Sequence, residues 1–162
     1  MSIYGRSTAP HHRHAPADRM ADATSGTQNL LLLLARILLG AIFVQSGFGK
    51  LTNLAGFTAG LEGMGVPAAT VMAAIGAAVE FFGGLAVVLG AWTRLAAVAV
   101  AVFTIAATLI AHRFWDVPEA ERTMQSIQFM KNAAITGGFL ALVAAGGGCF
   151  SVDGLLKRRH RE

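Results

Sequence analysis

The stretch that decides the fold of this chain reads Arg36-Ile-Leu-Leu-Gly-Ala-Ile-Phe-Val-Gln-Ser-Gly-Phe-Gly-Lys50. It lies in an apolar run from Leu30 to Lys50, which as a helix is about 30 Å long and can cross the hydrocarbon core of a bilayer. One stripe of that helix contains, at spacings of four and three residues, Arg36, Gly40, Phe43, Gly47 and Lys50. Such a stripe should face protein, and an arginine inside a span is a candidate functional residue.

The composition is typical of a membrane protein. Of 162 residues, 54% are hydrophobic and only 14% are charged, and the mean hydropathy is +0.57. The formal net charge of +4 comes mainly from basic residues near the two ends, without interleaved aromatic residues. This pattern indicates orientation in a membrane and argues against nucleic-acid binding. A single cysteine, Cys149, excludes an internal disulfide or a CxxC pair and argues against thiol–disulfide exchange.

The hydropathy pattern predicts an all-α fold, an integral membrane four-helix bundle. The spans are expected at about residues 30–50, 68–90, 95–111 and 125–147, within a transmembrane domain of residues 29–150. Between the first two spans, Phe57, Leu61 and Met64 recur at spacings of four and three residues and predict a short interfacial helix. The segment from His112 to Met124 is predicted to be a polar loop.

Polar tails flank the predicted domain. Residues 1–28 lack an apolar period and are expected to form a disordered cytoplasmic tail, and residues 151–162 a basic cytoplasmic tail. Four spans place both tails on the same side of the membrane. Because the arginines and lysines are concentrated in these tails and in the 91–94 turn, the positive-inside rule predicts that both termini are cytoplasmic.

Ionisable and amide residues within the predicted spans mark a candidate intramembrane pocket. Glu80 lies near the middle of the second span, and its estimated depth brings it within reach of Arg36, so we expect the two side chains to form a buried pair. Such a pair either belongs to a binding site or only sets the helix register, and the sequence leaves both interpretations open. The full candidate set is Arg36, Gln45, Glu80, His112, Lys131 and Asn132.

Several candidates also have a purely structural interpretation. A histidine at the end of a span, such as His112, can be an interfacial hydrogen-bonding group. Lys131 is close enough to the outer membrane surface to extend its ammonium to the interface, and Gln45 can hydrogen-bond between helices. Helix contacts are expected at Gly40, Gly47, Gly83, Gly84, Gly137 and Gly138. The sequence contains no metal-ligand spacing and no pair of haem-ligand histidines within its spans.

Four motifs, taken in order, resemble those of the DoxX family. They are Arg36-x-x-Leu39-Gly40-x-x-Phe43-x-x-x-Gly47-x-x-Lys50, then Glu80-x-x-Gly83-Gly84-Leu85 with Gly90 and Arg94, then His112-x-Phe114-Trp115, and finally Phe129-x-Lys131-Asn132 with Gly137-Gly138. The resemblance covers about residues 30–150. It implies a small four-helix protein of the bacterial inner membrane that serves as a subunit of an oxidoreductase complex, either quinone-linked or associated with oxidative stress.

The resemblance and the residues together support three functional hypotheses. The leading one is a subunit of a membrane redox complex with a polar pocket for a quinone-like or other small amphipathic molecule; oxidoreductase activity is implied by the resemblance alone. The second is a non-catalytic membrane scaffold or assembly protein in which the same residues lock the bundle. Small-solute transport is less favoured, because four spans leave little room for alternating access. The expected partners are the lipid bilayer, redox-complex proteins and a second copy of the chain, and a quinone is the candidate cofactor.

Overall fold

The described part of the chain consists of helices joined by short turns. The computed structural model describes residues 16–159, with side chains from residue 25 onward, and this range contains no β-strand. The helices are α1 (Pro16–Thr52), α2 (Leu54–Gly63), α3 (Ala69–Leu89), α4 (Thr93–Ala111), α5 (Glu119–Ala145) and α6 (Val152–Arg159). Four segments, Ser25–Thr52, α3, α4 and α5, are long and apolar enough to span a membrane. The predicted all-α membrane bundle, with a short helix after the first span, is confirmed.

Two helix boundaries differ from the predicted ones. α1 begins at Pro16, so residues 16–28 of the predicted disordered tail are helical, whereas residues 1–15 lie outside the described residues. α5 begins at Glu119 and not near residue 125, and acidic side chains in its first turn complement the positive end of the helix dipole. Part of the predicted loop before the fourth span therefore belongs to that helix.

The centre of the bundle is filled by a few large residues among many small ones. Phe43 of α1, Val87 of α3, Val100 of α4 and Phe139 of α5 form its buried core, and the rings of Phe43 and Phe139 meet edge to face at 5.3 Å. Many large aliphatic side chains point outwards, and Leu38, for example, is 70% exposed. Small residues inside and large ones outside are the pattern expected of helices whose outer faces contact lipid.

Glycines bring α1 and α3 into close contact. A Cβ at Gly84 would lie 2.9 Å from the Cβ of Phe43, and one at Gly40 would lie 2.8 Å from the carbonyl oxygen of Gly84. Gly47 lies against the backbone of Phe81 in the same interface. These contacts set the register of the two helices, because any side chain at these positions would push them apart.

The glycine predictions hold less well in α5. A Cβ at Gly138 would lie 3.1 Å from Leu39, so this glycine is at a contact with α1. A Cβ at Gly137 would meet no atom within 4 Å, so the prediction that Gly137 packs against another helix is wrong for the described chain. Adjacent residues point about 100° apart around a helix, so a contact at Gly138 does not require one at Gly137. Gly83 faces α4, where a Cβ would lie 2.7 Å from Val100.

Candidate functional site

Glu80 is paired with Lys50 and not with Arg36. The ammonium Nζ of Lys50 lies 2.5 Å from Oε1 of Glu80, so the predicted Arg36–Glu80 pair is wrong. Arg36 reaches α3 at the carbonyl oxygen of Val88, eight residues beyond Glu80, which is about 12 Å along a helix. Lys50 was on the predicted polar stripe, but it was not among the predicted pocket residues.

The backbone around Glu80 is unusual. Val79–Gly83 forms a π-helical turn within α3, and Glu80 sits in it. Such single turns insert one extra residue into a helix and are frequent at functional sites. The glutamate is only 5% exposed, and its second carboxylate oxygen, Oε2, is buried without a hydrogen-bond partner among the described residues. A buried oxygen left in this way is an open acceptor for a ligand.

A cavity of about 400 Å³ opens beside this pair, between the four spans and α2. Its apolar walls are contributed by residues that include Ile42, Phe43, Phe57, Leu61, Ile75, Phe103, Ile110 and Ile135. Its polar lining consists of Ser46, Lys50, Glu80, Thr104, His112, Lys131 and Asn132. The cavity is therefore an apolar chamber with a small number of hydrogen-bonding groups, the usual composition of a small-molecule site.

The short helix α2 closes one side of the chamber. Phe57 of α2 places its ring under the Lys50 ammonium, with 4.9 Å between Nζ and the ring centroid. This cation–π contact and the Glu80 carboxylate together hold the ammonium from two sides. The aromatic residue was predicted only as part of an apolar face, and nothing in its spacing indicated this contact.

The structure brings together four of the six predicted pocket residues. Glu80, His112, Lys131 and Asn132 line one cavity, whereas Arg36 and Gln45 do not. Gln45 is exposed on the outer face of α1, so its assignment to the pocket is wrong. The stripe Arg36–Gly40–Phe43–Gly47–Lys50 faces the bundle interior, and Gln45 lies on a different side of the same helix.

Hydrogen bonds fix the polar groups at the far end of the cavity. Nδ1 of His112 lies 2.9 Å from Oε1 of Gln125, within hydrogen-bond distance. Nδ2 of Asn132 donates to Thr108 Oγ1 at 2.9 Å, and Lys131 donates to Gln128. The α4–α5 interface thus holds both the histidine and the asparagine at the cavity wall.

Comparison with known proteins places the chain in a family. A family model described as DoxX matches residues 31–113, about half of the chain. The chain belongs to the DoxX family. It is 38% identical to the Escherichia coli inner membrane protein YqjF over 79% of this chain and 93% of the relative. It is 34% identical to the Escherichia coli inner membrane protein YphA over 76% of this chain and 89% of that relative. No solved structure matches the chain.

The DoxX match covers only part of the cavity. Lys50, Glu80 and His112 lie inside residues 31–113, and Lys131 and Asn132 lie beyond them. With four spanning helices, this DoxX-family chain is a multi-pass membrane protein.

Arg36 of this DoxX-family chain belongs to a second buried cluster. Its side chain is fully buried. Nη1 donates a hydrogen bond to the carbonyl oxygen of Val88 at 3.4 Å, and Nη2 donates one to the carbonyl oxygen of Phe150. Gly90, with φ of +69°, leaves room for the guanidinium, since a Cβ there would collide with it. Arg36 therefore attaches the segment after α5 to the bundle and takes no part in the cavity.

The segment after α5 is part of the folded domain. Asp153 accepts hydrogen bonds at 2.8 Å from Trp92 N, Thr93 N and Thr93 Oγ1, and so caps the start of α4 from across the sequence. Burial alone would raise the pKa of the Asp153 carboxyl, but these hydrogen bonds and the nearby Lys157 ammonium together hold that pKa below its usual value. The predicted boundary at residue 151 is therefore corrected: residues 151–154 pack against the bundle, and residues 160–162 of the predicted tail lie outside the described residues.

Proposed function

We propose that this DoxX-family protein is an inner-membrane subunit of a quinone-linked redox complex and that its cavity binds the quinone ring. The proposal rests on the chamber of about 400 Å³ with apolar walls. At this chamber, beside Lys50, Glu80 presents a buried carboxylate oxygen that has no hydrogen-bond partner among the described residues. The inner-membrane location is supported by the printed names of the two Escherichia coli relatives.

The charges around the chamber suit a neutral ligand. Lys50 and Glu80 cancel each other, and Lys131, the remaining charged residue of the lining, is exposed, so an uncharged ring can enter without leaving a buried charge unbalanced in a medium of low dielectric constant. The phenylalanine and isoleucine side chains of the walls provide apolar contact for a ring and for the start of an isoprenoid tail.

The free hydrogen-bonding groups suit both redox states of a quinone. Glu80 Oε2 is an acceptor for a hydroxyl group of a hydroquinone, and His112, which also lines the chamber, can form a second hydrogen bond to the ring through Nε2. The ammonium groups of Lys50 and Lys131 can donate to the carbonyl oxygens of the oxidised ring. A polar group that stays unpaired when buried is unfavourable by about 1 to 3 kcal/mol, so a ligand that satisfies Glu80 Oε2 should be favoured.

A redox reaction of the quinone also needs an electron donor or acceptor. We assign the electron donor or acceptor to a partner protein of the complex, with this chain providing the quinone site.

A pair of neighbouring alanines in α4 allows a sharp test. Ala107 lines the cavity, and Ala106 is exposed on the outer face of the same helix. The wild-type protein, purified in native lipid, should be enriched in quinone. The ratio of quinone to phospholipid in the purified sample should be well above the same ratio in the whole membrane extract, as measured by mass spectrometry of the extracted lipids. Ala107→Phe should lose this enrichment because the ring fills the chamber, and Ala106→Phe should keep it.

The scaffold and transport hypotheses lead to different outcomes of the same experiment. If the wild-type protein carries no more quinone than the surrounding lipid and still co-purifies with redox proteins, the scaffold function replaces the proposed one. If a polar solute is found in the chamber in place of a quinone, transport becomes the better hypothesis. Loss of quinone in both phenylalanine variants would show that the enrichment does not come from this chamber.

A further inference from the structure

A second cavity lies at the end of α4 opposite to His112. It is an open groove of about 730 Å³ between the α3–α4 turn and the segment that joins α5 to α6. Three cationic side chains line it, Arg94, Lys157 and Arg158, together with the single carboxylate of Asp153. The groove therefore has a surplus of positive charge, and it shares no lining residue with the Glu80 chamber.

The single carboxylate in the groove offsets only part of this positive charge, because three cations line the groove. Both oxygens of Asp153 accept hydrogen bonds from the start of α4, at 2.8 Å each. Within residues 25–159, the ion pairs are Lys50–Glu80 and Arg113–Asp116, and neither involves a groove residue. The three cations are thus available to an external anion.

The position of Arg94 is defined by its surroundings. Its Nη2 donates to the carbonyl oxygen of Ala144 at 3.2 Å, near the end of α5. Gly146, with φ of +78°, lies beneath the guanidinium, where an added Cβ would be 3.5 Å from Nε. The side chain is held across the groove, and its other nitrogens remain free to donate to a bidentate acceptor such as a phosphate.

Large apolar side chains adjoin the cations. Trp92 is 76% exposed and Leu95 is 70% exposed, on the first turn of a membrane-spanning helix. Trp92 has φ of +42°, a conformation that non-glycine residues rarely adopt, and the hydrogen bond from its N–H to Asp153 helps to hold it there. An exposed indole next to cations at a span terminus is typical of the region where lipid head groups meet acyl chains.

We infer that this groove binds an anionic phospholipid, with the phosphodiester between Arg94, Lys157 and Arg158 and an acyl chain along Leu95. The charge surplus matches an anionic head group, and the exposed Leu95 and Trp92 match its hydrocarbon part, whereas a free phosphate would leave the apolar side of the groove unused. The lipid site is independent of the proposed quinone site.

The test measures lipid retention by native mass spectrometry of the full-length protein in detergent, titrated with cardiolipin, phosphatidylglycerol or phosphatidylcholine. We expect the two anionic lipids to bind and phosphatidylcholine to bind at least tenfold more weakly. The double variant Arg94→Gln/Lys157→Gln should weaken anionic-lipid binding roughly 25-fold, because each cation near a lipid phosphate contributes a factor of about five to the affinity. The control Arg113→Gln/Arg122→Gln removes the same charge from two exposed residues at the other end of the bundle and should leave binding unchanged.

Three outcomes would overturn the inference. Equal weakening by the control variant would mean that total charge, and not this groove, attracts the lipid. Retention of phosphatidylcholine equal to that of the anionic lipids would show that the charge of the head group does not affect binding. Complete displacement of the lipid by excess inorganic phosphate would identify the groove as a site for a free anion. All these substitutions are at exposed positions, and circular dichroism of each variant will verify that the fold is intact.

Discussion

Lys50 Nζ lies 2.5 Å from Glu80 Oε1 and joins the end of the first span to the π-helical turn of the second. Glu80 is buried, and the Lys50 side chain is 27% exposed, so the pair lies at the boundary between the bundle interior and the cavity. It thus connects the packing of two spans to the chemistry of the chamber.

Lys50→Met and Glu80→Gln should show coupled effects on stability. Each single variant should lower the free energy of unfolding by about 2 to 3 kcal/mol, below the ~3 to 5 kcal/mol of a fully buried pair, because water can reach Lys50. The double variant should recover part of the loss. Thermal and denaturant unfolding in lipid nanodiscs measures the coupling, and Arg36→Met combined with Glu80→Gln is the control, expected to be additive within about 0.5 kcal/mol.

Gly90→Ala should test the anchoring role of Arg36. Gly90 and Gly65 both have positive φ, +69° and +73°, but only at Gly90 would a Cβ collide with the Arg36 guanidinium. Gly65→Ala should therefore lower the free energy of unfolding by only about 1 kcal/mol, the cost of a positive φ at alanine. Gly90→Ala should lower it by at least twice that amount. Addition of Arg36→Met to Gly90→Ala should restore part of the stability. If the two alanine variants melt at the same temperature, the contact between Gly90 and Arg36 does not affect the stability of the protein.

Gly84→Leu and Gly137→Leu should differ although both replace a glycine within a span. Gly84 is enclosed by Phe43 and Val44, so leucine should destabilise by about 1 to 3 kcal/mol or more through overpacking. Gly137 faces open space, so leucine there should change stability by less than about 0.5 kcal/mol or raise it through better helix propensity. Melting temperatures in detergent and in lipid decide between these outcomes, and a large loss for Gly137→Leu would indicate a contact with another chain.

Asp153 should make the stability of the protein depend on pH in the acid range. Because its pKa is lower in the folded state than in the unfolded state, its contribution is present above the unfolded value of about 3.9 and is lost as the pH falls through the folded pKa. Asp153→Asn should be about 0.5 to 2 kcal/mol less stable than the wild type from pH 5 to 8, as for a weakened helix cap, and the difference should disappear in stronger acid. Asp116→Asn, at an exposed carboxylate, is the control and should be nearly neutral at every pH.

The orientation of the chain can be tested by cysteine labelling. In a Cys149→Ser background, a cysteine introduced at Ala120, an exposed residue in the first turn of α5, should react with a membrane-impermeant reagent added to the outside of intact cells, because this end of α5 is predicted to face outward. A cysteine at Ser7 should react only after the membrane is permeabilised. The reverse pattern would place both termini outside.

Much of the architecture follows from the sequence itself. The apolar runs are as long as a bilayer is thick, so the number of spans and their approximate limits were predictable. Gly40, Gly47 and Gly84 were also predicted to lie at helix contacts, and the structure places all three between the first two spans. Four pocket candidates, Glu80, His112, Lys131 and Asn132, were also found from their polar character within apolar helices.

The partners of those residues were decided by tertiary structure. A helical stripe shows which side chains share a face, but it does not show how far one helix is shifted along another, and the register of α1 against α3 sets Lys50, not Arg36, beside Glu80. The cap that Asp153 provides for Thr93 joins residues 60 positions apart, and no local pattern encodes such a contact. Hydrophobicity and periodicity act within a helix and are readable in the sequence, whereas depth and register depend on packing between helices that only the folded chain brings together.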